Sequence, residues 1–286
     1  MTAHASTAHS FELPPARCAL ALRARPRRLH RRAVAPRDAH PAQRRPVELA
    51  TARPSGCYPL VPYSNRIGYA RFRWKGHDFT TRPNFGESPH SIHGVGWMRP
   101  WERVSPARWR WCCATATPPM PTGPSPSRRP SISTSRRSRC VEMVVTNLAE
   151  VAQPVGLGWH PYFPKRARSR LHIELAERWD GDATGLPVRK VAQPGIDAGV
   201  AHLAFDHCFD GWRGARASAT NAFRCSSAPR STAWWSTPPE KDYFCVEPVS
   251  HVSNAIHMAD PLAHGLRSLA PGESTRAWMQ LDIAVV

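Results

Sequence analysis

VEMVVTNLAEVAQPVGLGWHPYFPKRARSRLHIELAERW, residues 141–179, is the stretch that decides the fold class. Val141, Met143 and Val145 alternate along it, and a period of two puts them on one face of a strand. Leu171, Ile173 and Leu175 repeat the pattern, and between the two lies the apolar and aromatic run VGLGWHPYF at 155–163. Three strands of five to nine residues are predicted here, and none of them carries a helical spacing.

Working outward, the same texture continues in two further islands. At the C-terminal end, DYFCVEPVSH (242–251) reads as a strand. A Pro271-Gly272 turn then leads into TRAWMQLDIAVV, where Ala277, Met279, Leu281 and Ile283 alternate. Towards the N-terminus, Ile67, Tyr69, Phe72, Trp74 and Phe79 are strand formers placed around a Lys75-Gly76 turn. This pattern predicts a hairpin running into a polar loop. With no amphipathic helix longer than two turns, the class expected is all-β, a sandwich or barrel, and a parallel α/β fold is disfavoured. No Walker loop, GxGxxG or HExxH motif occurs, which removes the common nucleotide and zinc-protease classes.

The chain has 286 residues, 41% of them hydrophobic, and 11 Trp, so it can bury a core. Its net charge of +18 and its 30 Pro are unusual, and the charge is localised. Residues 1–56 hold 11 Arg against Glu12, Asp38 and Glu48; residues 107–140 hold 7 Arg and no acid; residues 213–239 hold 4 Arg and no acid. The remainder is close to neutral and contains the only lysines, Lys75, Lys165, Lys190 and Lys241. The basic windows are Arg, Pro, Ala, Ser and Thr with little periodicity. Disordered linkers are one reading. Out-of-frame translation of GC-rich coding DNA fits their lysine-free composition and abrupt edges better, and reading the DNA in three frames tests it. The domain reading is therefore a basic segment at 1–56, followed by one β-domain at 57–286 interrupted by atypical windows at 107–140 and 213–239.

The windows lack the interleaved aromatics of a nucleic-acid groove, so no nucleic-acid partner is expected. No apolar run approaches a membrane span, so no membrane partner is expected either. The eight Cys form no CxxC pair, and a reducing, cytoplasmic setting is the default.

In the islands, polar residues stand inside apolar or aromatic strings: Arg66, His93, His160, Asp206 and Glu247. A single histidine in such a string is more often a hydrogen-bonded core residue than a catalyst. Glu247, between Val246 and Pro248, is the strongest functional candidate, because a carboxylate buried there needs a partner or a purpose. His90 and His93 offer half of a metal site at most, since no matching carboxylate or Cys pair accompanies them.

LVPYSNRI (60–67), HSIHGVGW (90–97), GLGWHPYF (156–163), FDHCFDGW (205–212), CVEPVSHV (245–252) and LAPGES (269–274) resemble, in order and approximate spacing, the aldose 1-epimerases, the galactose mutarotase family. The resemblance implies a large antiparallel β-sandwich of the mutarotase type, with some strands missing or garbled where the windows fall, so that sheet edges would lose partners. It also implies a small-molecule sugar substrate, with no metal and no other cofactor. Glu247 resembles the family's general base on the anomeric hydroxyl, and His160 the acid at the ring oxygen. His93 resembles a second histidine near that oxygen, and Arg66 and Asp206 resemble sugar-hydroxyl contacts. Trp97, Trp159, Tyr162 and Phe209 could stack on a pyranose, with core packing at least as probable for each. A hexose-6-phosphate 1-epimerase is the alternative and would need basic contacts such as Arg71, Arg82 or Arg99. A non-catalytic carbohydrate-binding relative is a second alternative, which the presence of both Glu247 and His160 disfavours.

Overall fold

In the computed structural model two seven-stranded antiparallel sheets face one another. The description covers residues 56–98, 102–105, 108–110, 134–135, 138–218, 221–228, 232–236 and 240–285. The basic segment read at 1–56 therefore lies, but for its last residue, outside the described residues.

One sheet carries the candidate site. Its strands run, edge to edge, Cys57–Leu60, Gly158–Pro164, Tyr243–Val249, Thr232–Ser236, Asp206–Asp210, Glu177–Gly181 and Pro187–Ala192. The second sheet runs Ile196–Gly199, Arg170–Glu174, Gly214–Ser218, Asn221–Ala228, Ser274–Val285, Ser138–Thr146 and Thr134–Ser135. The period of two makes this a sandwich. Phe244 and Val246, Ala233 and Trp235, and Phe209 point from the site sheet into a core shared with Met143, Val145, Leu171, Ile173 and Met279 of the opposite sheet. The alternate residues of the same strands face the other way, and that face holds the polar chemistry.

The all-β antiparallel expectation is met, and the helical content of the described residues is confined to three-residue 3-10 turns. No helix among them is long and apolar enough to cross a membrane. The expected hairpin forms as Arg71–Trp74 paired with His77–Thr80 across Lys75-Gly76. Tyr69 does not join it, standing at φ 52 in a 3-10 turn and half exposed.

The expectation that sheet edges lose partners where the windows fall requires a correction. Thr134–Ser135, the first residues of Ser138–Thr146, Gly214–Ser218, Asn221–Ala228 and Thr232–Ser236 all pair into the two sheets. Thr232–Ser236 is an inner strand, paired on both sides, and its first four residues are buried. Five residues with a tryptophan on each face suffice for an inner strand. An average taken over an Arg- and Ser-rich window hides so short a signal.

Candidate active site

Glu247 and His160 come from neighbouring strands. In the register Tyr162 faces Cys245 and Gly158 faces Val249, which puts His160 opposite Glu247 on the same side of the sheet. His160 Nε2 lies 3.1 Å from Glu247 Oε1. Glu247 is 2% exposed and His160 8%. Their remaining polar atoms, Glu247 Oε2 and His160 Nδ1, are buried without a hydrogen-bond partner among the described residues.

Burial sets the charge of this pair. It pushes the Glu247 carboxyl well above the ordinary carboxylate range, Asp206 adds to the rise through its own charge, and the Arg66 guanidinium opposes it. Burial also depresses His160 to about 3. Both directions favour neutral forms, so the contact holds a single proton, resting on the carboxyl and shared towards Nε2.

The ring of His160 is fixed from both sides. Tyr58, its register partner on Cys57–Leu60, lies 4.6 Å away between ring centroids, and Tyr162 stacks at 4.6 Å with planes 24° apart.

His93 reaches the pair from a loop. The ligand atoms of His93, His160 and Glu247 all lie within 4.8 Å of one another. The Asn65 backbone N–H donates to His93 Nδ1 at 3.1 Å, which makes Nδ1 an acceptor and leaves the proton of the neutral ring on Nε2. Neutrality is itself enforced, because burial first, then the charges of His160 and Arg66, hold His93 well below its usual value. A ring so oriented presents a donor where a cation would need a lone pair, and the three groups suit a polar substrate better than a metal ion. His90, which with His93 would offer at most half of a metal site, likewise uses Nδ1 to accept, from the Tyr69 N–H at 2.9 Å.

Arg66 and Asp206 complete the group. Arg66 Nη1 donates to Asn65 Oδ1 at 3.1 Å, its guanidinium sits 5.5 Å above the Trp234 ring, and its buried Nε has no partner among the described residues. Asp206 is exposed at the end of its strand and accepts from Trp234 Nε1–H at 2.9 Å. All five residues singled out in the sequence thus stand around one face of one sheet.

Sequence reasoning missed three supports. Asn65, buried and in left-handed backbone at φ 54, also accepts from Ser253 Oγ at 2.9 Å. His251, depressed to about 4 by burial, ties the two site loops by accepting the Ser64 N–H at 3.0 Å. Trp234 lies inside the basic window 213–239, whose composition gives no strand signal. Of the four aromatics considered for sugar stacking, Trp159 and Phe209 belong to the shared core. Trp97 is buried and packs on Tyr58. Only Tyr162 borders the Glu247–His160 pair.

Taken together, the two sheets and the arrangement of this face define the class by fold: a galactose mutarotase-like β-sandwich. Solved structures of that kind align with most of the chain. A protein of Escherichia coli K12 provisionally described as an aldose 1-epimerase superposes with a TM-score of 0.67 at 25% identity, covering 81% of this chain and 84% of its own. A galactose mutarotase-like protein of Clostridium acetobutylicum reaches 0.69 at 18% identity, covering 81% and 80%. In sequence, the uncharacterized protein YphB of Escherichia coli K12 is 28% identical over 274 residues, covering 86% of this chain and 90% of its own. No protein-family profile matches the chain.

Proposed function

We propose that the protein is an aldose 1-epimerase acting on a free aldohexose of the glucose or galactose type. The observation that carries the proposal is the convergence of Glu247 and His160 at 3.1 Å in a buried site, each with a second polar atom unpartnered among the described residues.

Opening a hemiacetal ring takes a proton from the anomeric hydroxyl while the ring oxygen receives one. A carboxylate and an imidazolium set side by side can do both, each contributing about 10²–10⁴-fold. The reacting form has the shared proton on His160 and Glu247 ionised, a form that the Arg66 charge favours. Glu247 takes the hydroxyl proton, His160 protonates the ring oxygen, and the ring opens to the aldehyde. The pair is then in its resting protonation state, neutral carboxyl and neutral imidazole. Rotation about C1–C2 presents the other carbonyl face, and the reversed transfers close the ring to the opposite anomer. His93 Nε2–H donates beside the ring oxygen, while Arg66 and Asp206 hold ring hydroxyls.

A free sugar is favoured over a sugar phosphate because the cations on the flanking hairpin are already engaged. Lys190 pairs with Glu177 at 2.8 Å and with Asp210 at 3.1 Å, and Arg178 and Arg189 both pair with Asp180. Arg71 and Arg82 are exposed, and Arg99 lies outside the described residues.

Polarimetry of freshly dissolved α-D-glucose and α-D-galactose, run beside glucose 6-phosphate, tests the proposal. Acceleration with the free sugars is expected, along with a kcat loss of about 10²–10⁴-fold in Glu247→Gln and in His160→Ala. Variants as active as the parent would refute the assignment, and faster turnover of the phosphate would transfer it to the hexose-6-phosphate class.

A further inference from the structure

Trp234 stands at the centre of the site sheet, opposite Glu247 on one side and Cys208 on the other, with its side chain on the face that carries Glu247. It is 7% exposed, and its two polar relations point in different directions. The ring face lies under the Arg66 guanidinium at 5.5 Å, and the ring edge donates Nε1–H to Asp206 Oδ1 at 2.9 Å. One rigid indole therefore touches the cation and the anion that flank the reacting carboxyl. Arg66 has Asn65 Oδ1 as its other anchor, whereas Trp234 Nε1 is the only hydrogen-bond donor to the Asp206 carboxylate among the described residues. Both charged groups act on Glu247 in opposite senses, Asp206 raising its carboxyl and Arg66 lowering it, as their closeness requires.

We infer that Trp234 is a positioning residue that holds Arg66 and Asp206 in register with Glu247 and thereby sets which ring hydroxyls the site accepts. The inference rests on the sugar-binding reading above. An aspartate on a strand end has free rotation about two side-chain bonds, and an arginine about four. A fixed N–H and a fixed π face remove that freedom before a sugar arrives, so less ordering is left for binding. The indole itself touches neither the anomeric carbon nor the ring oxygen in this scheme.

Three variants test it: Trp234→Phe, which keeps a ring face and deletes the N–H; Asp206→Asn; and the two together. Each single change is expected to raise KM for the preferred aldose about tenfold, the loss typical of one charge-assisted hydrogen bond; in Trp234→Phe the change falls on KM rather than kcat, whereas Asp206→Asn also removes a charge that acts on Glu247 and so moves kcat as well. The double variant should be no worse than the weaker single within about twofold, because both remove the same interaction. Across a series of monodeoxy sugars, discrimination at one hydroxyl should be present in the parent and absent from Trp234→Phe, a change that simple loosening of the core would not produce. Additive losses, or unchanged discrimination, would overturn the inference.

A second readout uses no sugar and so separates this claim from the function assigned above. Asp206 is exposed, so Asp206→Asn is expected to leave the fold intact, which the dispersion of its amide spectrum checks. The Trp234 Nε1–H proton resonance, identified by its disappearance in Trp234→Phe, is expected to move upfield and exchange faster with solvent in Asp206→Asn. A resonance that does not move overturns the inference whatever the activity of the protein proves to be.

Discussion

A buried carboxyl and a buried imidazole in contact hold one proton between them, and this changes the expected response to pH. With separate, solvated groups, activity would fall on the acid side as a carboxylate near 4.3 takes a proton, and on the alkaline side as an imidazolium near 6.5 loses one. Here the pair gains a second proton only when His160, depressed to about 3, accepts one, and it loses its single proton only above the raised value of Glu247. The expected kcat/KM profile has its acid limb near pH 3, set by His160, and an alkaline limb that follows the raised Glu247 carboxyl. A bell with its acid limb near 4.3 and its alkaline limb near 6.5 would show that the two groups titrate separately and that His160 is solvated in the free protein. At this scale Glu247 was legible because a carboxylate in an apolar string announces its own cost, and the four other residues followed from the motifs. Asn65, beside the already singled-out Arg66, was not. Its backbone N–H and left-handed φ leave no mark in residue type beyond the tolerance of asparagine for that conformation, and the partners of its Oδ1, Arg66 and Ser253, are brought to it only by the fold.

At the scale of elements, the site depends on how tightly its loops are pinned to the sheet. His93 stands at φ 60, immediately before Gly94 at φ 64, and the Val61 carbonyl accepts from both Val95 N–H at 2.9 Å and Gly96 N–H at 3.2 Å. A Cβ at Gly94 would fall on that carbonyl. Asn84 locks the same turn from its other side, accepting the Ile92 N–H at 2.7 Å and donating to the Ile92 carbonyl at 2.9 Å. Gly94→Ala is therefore expected to cost about 2–4 kcal/mol in urea unfolding, backbone strain and steric overlap acting together. Gly86→Ala, at φ 53 with open space around it, should cost only about 1 kcal/mol. Equal losses would show that the Val61 contact is not what fixes the turn. Strands with clean alternation, such as Ser138–Thr146 and Ser274–Val285, were readable at least in part from sequence. Thr232–Ser236 was not, because it is short, buried on both faces and embedded in residues that favour no element.

For the whole molecule, buried histidines tie stability to pH. His160 and His251 are depressed to about 3 and about 4, and His93 is also held low, each chiefly by burial. The unfolded chain takes protons on these rings as the pH falls through about 6.5, and the folded chain refuses them, so each contributes stability that is lost on acidification. Glu247 works in the opposite sense, since the folded chain keeps a proton that the unfolded chain releases above about 4.3. Three rings outweigh one carboxyl. The urea midpoint should fall steadily between pH 6.5 and 4.5, and His251→Gln should flatten that fall. A midpoint constant over this range would mean that the rings are protonated in the folded state.

The tie between Ser64 and His251 joins residues 187 positions apart in the chain, and the Glu247–His160 contact likewise joins paired strands that are far apart in sequence. Such contacts close large loops before they return any energy, which makes acquisition of the native topology slow. A half-assembled sheet would hold one partner of the pair without the other. Recovered turnover after dilution from denaturant should accordingly rise with a single time course, the same one that reports completion of the sandwich, with no early fraction of competent molecules.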